Sequence, residues 1–242
     1  MLFNRQRAIE YMDRYNLDAL VATSPTNITY FSDYHCWLDK LFKAYMTNPG
    51  AGTELTQQFA VFPRNGEPSL ILVPLLAANA LDCWVKDVRS VGGGGFDNSA
   101  PPQLTLTERQ KYFLEFTQNL DTRVTAFSSL AEVIQDRGLA KGRIGIECDN
   151  LSASTLKSIR NSLPHAQIKN SSNLILLIRM VKSTEELKRL RCAGQIAEEA
   201  ATRVLSDARP GKFSREMVGE FRSHVAKEGA DLDHFAICAR GL

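Results

Sequence analysis

A chain of 242 residues with 44% hydrophobic side chains can bury one large core or two modest ones. Its 29 basic and 27 acidic side chains leave a formal net charge of +2 with no block of like charges, so no nucleic acid and no membrane surface is expected as a partner. The longest apolar stretch, around Leu174 to Ile178, is far too short to span a bilayer, and Glu10 and Asp13 interrupt the region where a secretory leader needs an apolar core; a cytoplasmic location is the expectation.

In chain order, Ala8, Ile9, Met12 and Tyr15 repeat at helical spacing over Asn4 to Asn16. Asp18 to Thr23 reads as a short buried strand that Ser24-Pro25 breaks, leaving Tyr30, Phe31, Tyr34, His35 and Trp37 in the loop that follows. Gln58 to Pro63 and Ser69 to Val73 flank Arg64-Asn65-Gly66-Glu67-Pro68, and Asn-Gly between two β-rich runs predicts a hairpin. A helix around Pro74 to Trp84 and a strand over Asp87 to Val91 come next. Gly92 to Gly95 and Asn98 to Pro102 cannot hold regular structure and predict a loop. Helical patterns return at Thr107–Asn119 and Ser128–Arg137, followed by a strand at Arg143–Glu147, a helix at Ser152–Ser162 and a strand at Ala166–Lys169. This alternation implies an α/β fold, a mixed sheet flanked by helices, since the hairpin is antiparallel.

The character of the chain changes near Ser171 to Arg179. Ser183 and Glu186 have the spacing of a capping box, in which hydroxyl and carboxylate each take up a backbone amide at a helix start. Leu187, Leu190, Ala193, Ala197, Ala200 and Val204 then form one apolar face rich in small residues. Pro210-Gly211 ends that helix, and Ser214 opens a second with Met217, Val218, Phe221 and Val225 on one side, closed by Gly229. His224 on that helix is expected at the surface. His234 to Ala239 reads as a strand beginning. Two such helices and a strand cannot cover their own apolar faces, so more chain, a partner or the preceding domain is expected against them.

Self-contained chemical motifs are scarce. Cys36, Cys83, Cys148, Cys192 and Cys238 are odd in number and far apart, and read as reduced, mostly buried thiols. Cys238 has no basic neighbour in sequence that would activate it. His35, His165, His224 and His234 show neither HxxxH nor HExxH spacing. The run Gly92–Gly95 lacks the Lys-Ser/Thr of a phosphate loop, the GxGxxG spacing and an immediate helix start, so a plain loop is the better account. Glu147 and Asp149 flank Cys148 at a strand end. Two carboxylates without a His or a third acid fit strand-end solvation or helix capping better than acid–base chemistry or a metal.

Five stretches follow one another in a telling order. They are Ser24-Pro25-Thr26-Asn27-Ile28-Thr29-Tyr30-Phe31-Ser32-Asp33-Tyr34; Ile144-Gly145-Ile146-Glu147; Arg179 to Ala193 with Lys182, Glu185 and Glu186; Arg209-Pro210-Gly211; and Gly229-Ala230. Each alone is weakly specific, but their order and spacing resemble the creatinase and Xaa-Pro aminopeptidase family, prolidase-like metallohydrolases with a "pita-bread" catalytic domain. The resemblance implies a creatinase-like N-terminal domain over residues 1–175, then the first two helices and strand of the pita-bread α+β domain over 176–242. It also implies a homodimeric, metal-dependent hydrolase of a peptide with proline after its first residue, or of a small amide or amidine. Two divalent metal ions (Mn, Co or Zn) would hold a bridging hydroxide and polarise the scissile carbonyl.

In that family the two Asp, one His and two Glu that bind the metals all come later in the sequence. No catalytic or metal-binding residue therefore carries over, and the chain is expected to stop early in the catalytic domain, with no cofactor of its own. Its role would be to shape the substrate cleft and the subunit interface. The resemblance places Tyr30, Phe31, His35 and Trp37 near a substrate cleft, and His234 on a strand that leads into the active site. Core packing for the aromatics and an incidental surface histidine are the alternatives. The rival function is a non-catalytic aminopeptidase-like binding module, as in the large subunit of the histone chaperone FACT.

Overall fold

The computed structural model describes residues 1–36, 57–73, 76, 79–81, 83–91, 103–118, 125–149 and 151–230, without the side chains of 90 and 116–118. The loop expected over Gly92–Gly95 and Asn98–Pro102, the strand expected from His234 and the thiol of Cys238 lie outside these residues, as does part of the helix expected over Pro74–Trp84.

The side chain of Asn4 accepts the amide of Arg7 and starts α1 (Arg5–Arg14), which buries Ala8 and Met12 and leaves Tyr15, just beyond its end, half exposed. Asn16 turns the chain in a left-handed conformation, φ 53°, into β1 (Ala19–Ala22). The loop expected after this strand is a helix, α2 (Pro25–Ser32). Ser24 caps it by accepting the Asn27 amide, and Pro25 occupies the first turn, where a missing N–H costs nothing. The dipeptide that reads as a strand breaker is thus also a helix start. β2 (Phe59–Pro63) and β3 (Ser69–Leu72) pair antiparallel as the hairpin predicts, with Gly66 at φ 112° in the turn. β4 (Asp87–Ser90) then lies parallel to β3.

Next come α3 (Glu108–Gln118), α4 (Ala126–Asp136), β5 (Arg143–Ile146), α5 (Ala153–Ser162) and β6 (Gln167–Asn170). The apolar stretch at Leu174, read above as a change of character, is a nine-residue helix, α6 (Ser172–Met180). Its Ile175 and Ile178 are fully buried in the same cluster as Ala8 and Met12 of α1, and Arg7 of α1 donates to the Leu177 carbonyl from Nε and Nη2 at 3.2 and 3.0 Å.

The strands form one sheet in the order β4-β3-β2-β1-β5-β6, with β1 antiparallel to β2 and parallel to β5. Alternation along β1 splits the core in two. Leu20 and Ala22 face α1, α2 and α6 in a cluster with Phe3, Met12, Phe31 and Ile175. Ala19 and Val21 face α4 and α5 in a cluster with Phe127, Leu130, Ile134 and Ile159.

The chain divides into two compact units, Met1–Val181 and Lys182–Leu242. In the second, the capping box at Ser183 and Glu186 is formed, with hydrogen bonds of 2.8 and 3.1 Å, and opens α7 (Thr184–Ser206). Ala200 and Val204 of α7 pack on Met217, Phe221 and Val225 of α8 (Ser214–Lys227). Of the expected α7 face only Ala200 and Val204 are buried, while Leu187, Leu190, Ala193 and Ala197 are exposed. His224 is a correction: it is 8% exposed, and its Nε2 has no hydrogen-bond partner among the described residues. The reason is helical period, because 217, 221 and 224 fall on one stripe, i, i+4 and i+7, that packs on α7.

Cys36 and Cys83 are buried, Cys148 is half-buried and Cys192 is exposed, all as free thiols. Among the described residues, no helix is long and apolar enough to cross a membrane.

At the entrance of β1, Asp18 clamps the central strands. Its carboxylate accepts the Arg143 amide and Nε at 2.9 Å, Arg143 Nη2 at 2.8 Å and Arg64 Nη2 at 3.2 Å. These bonds, Arg143's side chain foremost, outweigh partial burial and hold the Asp18 carboxyl at about 2. The lowered value means the clamp is fully present above the unfolded carboxyl's titration, near pH 4, and is lost as pH falls towards about 2. Urea unfolding should therefore show that, between about pH 5 and about pH 2, the parent loses on the order of 1 kcal/mol more stability than Asp18→Asn, allowing for solvent screening. Equal losses would remove the clamp from the account of acid stability.

Candidate functional site

β1 and β5 run parallel, so their carboxyl ends open side by side. The residue after β5, Glu147, is only 3% exposed. A buried carboxylate is tolerable only if hydrogen bonds replace its water, and here they do. The amides of Thr23 and Ser24 donate to Oε2 at 2.8 and 2.9 Å, and Asn27 Nδ2 donates to Oε1 at 2.6 Å. The Thr23 hydroxyl donates to the Glu147 carbonyl at 2.9 Å. Beyond it, Asn27 Oδ1 accepts Arg179 Nη1 at 2.9 Å, and that guanidinium lies 5.7 Å from the Tyr30 ring centroid. The Tyr30 hydroxyl in turn accepts the Asn4 amide at 3.1 Å.

Glu147 is therefore not a solvated strand-end acid; its charge holds the amides that lead into α2. Asp149, its expected companion, is exposed and apart from this network. The three stretches that carry the family resemblance in residues 1–181 contribute one member each: Asn27, Glu147 and Arg179. Their convergence was not legible in the sequence, because Thr23 and Glu147 are 124 residues apart.

Of the residues assigned to a substrate cleft, Tyr30, Phe31 and His35 are described. Tyr30 and Phe31 are 4% and 2% exposed; Phe31 stacks on Phe3 at 4.6 Å, and Tyr30 meets Phe3 edge-on at 5.5 Å. Tyr34 beside them is fully buried, its hydroxyl donating to Gln58 Oε1 at 3.0 Å, and burial pushes its phenol well up. His35 is exposed, and its carbonyl accepts Asn79 Nδ2 at 3.4 Å. Trp37 and His234 lie outside the described residues.

Residues 4–181 match the family model of the Creatinase/Prolidase N-terminal domain. The chain belongs to the creatinase/prolidase family. Ectoine hydrolase of Halomonas elongata is 25% identical to it over 207 residues, which cover 84% of this chain and 43% of that protein. Prolidase from Pyrococcus furiosus shares the fold with a TM-score of 0.53 at 18% identity, covering 92% of this chain and 49% of that one. Xaa-Pro dipeptidase from Bacillus anthracis does so with a TM-score of 0.56 at 17% identity, covering 93% and 50%. The chain thus spans about half, or less, of each of these creatinase/prolidase relatives.

The metal ions implied by the family find no donor set here. Among the described residues, no three His, Cys, Asp or Glu side chains come together so as to hold an ion. Glu147 has both oxygens engaged by amide groups. The described residues do not fit that role, and no chemical step is derived through it.

The relay has a fixed polarity. With Gln at 147, an oxygen kept towards Thr23 and Ser24 turns an NH2 group towards Asn27, and an Asn27 that flips to suit turns its own NH2 towards Arg179. Glu147→Gln should therefore cost about 1–3 kcal/mol in urea unfolding. Paired with Arg179→Met it should cost less than the sum of the two single changes. Additive effects would show that the bonds do not act as a unit.

Proposed function

We propose that this chain is the N-terminal portion of a metal-dependent hydrolase of the Xaa-Pro type, whose residues 1–181 shape the substrate cleft and a homodimer interface. The chain from 182 then begins the pita-bread catalytic domain, and two divalent ions (Mn, Co or Zn) are bound by residues in the part of the relatives that this chain does not cover. The observation that carries this reading is the family match over residues 4–181, with the chain covering half or less of the relatives it resembles. Prolidase and Xaa-Pro dipeptidase point to a proline-containing peptide as substrate; ectoine hydrolase points to a small ring compound with an amidine or amide-like bond.

In this reading the buried relay does no chemistry. It fixes the turn from β1 into α2 and so the place where the chain leaves α2, which sets His35 and Trp37 at the cleft wall. Tyr30 and Phe31 act through packing beneath them, and His234 approaches the substrate from the catalytic domain.

The test is to express the complete reading frame that contains residues 1–242 and to assay it with each ion against an Xaa-Pro dipeptide and a small cyclic amidine. Hydrolysis of one class, abolished by a chelator, is expected. His35→Ala should raise KM about three- to ten-fold with kcat little changed, the signature of lost ground-state binding. A protein that binds polypeptides but turns over neither class would transfer the assignment to the binding-module reading. Residues 1–242 alone should take up no pair of Mn2+, Co2+ or Zn2+ ions in calorimetry; stoichiometric binding of two would overturn the placement of the metal ligands.

A further inference from the structure

Away from the Glu147 relay, a cleft of about 230 Å3 opens between the end of α1, the edge strand β6 and the first turns of α6. One wall is apolar, formed by Tyr15, Leu17, Leu174 and Leu177. The opposite side carries Lys169, Ser171 and Asn173. Among the described lining residues Lys169 alone carries a formal charge, and its side chain, at an exposed position, brings the ammonium within 3.5 Å of the Tyr15 carbonyl.

Two independent features of the polar side lack a counterpart. The first is the start of α6. Its Ser172 amide is taken by Asn170 Oδ1 at 3.0 Å, but the amides of Asn173 and Leu174 meet no acceptor among the described residues. Such first-turn donors, at the positive end of the helix dipole, favour an anion. The second is Ser171. It is 4% exposed and stands at the N-cap, yet its hydroxyl neither caps α6 nor bonds to any other group. The oxygen keeps some solvent access, so a group in the cleft can reach this hydroxyl. Gly145 makes room for this one, because a Cβ there would collide with Ser171 Oγ and lie 2.9 and 3.0 Å from Leu20 and Leu17.

We propose that this cleft binds a small monocarboxylate with an apolar tail. The carboxylate meets the Asn173 and Leu174 amides, the Ser171 hydroxyl and the Lys169 ammonium, and the tail lies on Leu17, Leu174 and Leu177. The unmatched first-turn amides are donors, Lys169 adds a positive charge and no acid is among the described lining residues, which favours an anion. A single cation suits one negative charge better than the two of a phosphate. The volume equals that of about eight water molecules and falls below the usual range for drug-sized ligands. The ligand is therefore a fragment, such as a short aliphatic or aryl acid.

The test is amide-resolved NMR titration of the whole 242-residue chain with 4-phenylbutyrate, its neutral amide and inorganic phosphate. Saturable shifts at the Asn173 and Leu174 amides are expected with the carboxylate, and at least ten-fold weaker binding with the neutral amide and with phosphate. Lys169→Gln, a change at an exposed side chain, should weaken the carboxylate about ten-fold without altering the thermal melt. Ser171→Ala should weaken it in the same direction and serves as the second variant if the first misfolds. The proposal fails if shifts do not saturate by about 10 mM. It fails equally if the neutral amide or phosphate binds as well as the carboxylate, or if both variants bind like the parent.

Discussion

One buried negative charge organises the first unit. Glu147 stands where β5 ends, and nothing local requires an acid there. Its worth comes from two backbone amides at the β1–α2 turn and from Asn27, the donors that hold it without water. Remove the carboxylate and those donors are buried without an acceptor, which costs more than the bonds contribute while intact. The constraint is directional as well. Asn27 donates to Glu147 and accepts from Arg179, so the sheet end, the start of α2 and the end of α6 must arrive together for any one of them to be satisfied.

The opposite end of the same two strands is held by a second carboxylate under different conditions. Asp18 precedes β1 and takes the amide and guanidinium of Arg143 at the entrance of β5. The parallel pair β1–β5, the centre of the sheet, is thus pinned at both ends by an acid on one strand bonded to the other. A parallel pair has no hairpin to fix its register, and a one-residue slip would carry Leu20 to the wrong face. The two acids do for β1 and β5 what Asn65-Gly66 does for β2 and β3. Asp18 is partly open to solvent and follows pH; Glu147 is sealed under Thr23 and Ser24.

What was legible in the sequence is what is local. Hairpin, capping box and strand–helix alternation depend on residues within a few positions of each other, and the structure follows them. The readings that changed depend on context. Ser24-Pro25 ends a strand and starts a helix with the same two residues, and only the seating of Ile28 and Phe31 in the core decides for the helix. The run Leu174 to Ile178 has no polar break from which to read a period, so its helix shows only once α1 covers one side and leaves Leu176 and Leu177 outside. His224 was within reach, since it lies three residues after Phe221 on a stripe already identified. The Asn27–Glu147–Arg179 relay was not, because its members belong to three separate stretches and each one alone passes for a surface polar residue.

α6 joins the two polar features of the first unit. At nine residues it is about 13 Å long. Its first turn borders the cleft, and its last turn delivers Arg179 to Asn27. Between them, Ile175 and Ile178 are buried in the core, and Arg7 holds the Leu177 carbonyl. A helix fixed at its middle and its end has little freedom to adjust at its start. The same helix therefore ties the cleft to the relay: its first turn offers the Asn173 and Leu174 amides, and its last turn holds Asn27 through Arg179. Among the described residues the fold completes the relay at one end of α6 and leaves the first-turn amides at the other end open to the cleft.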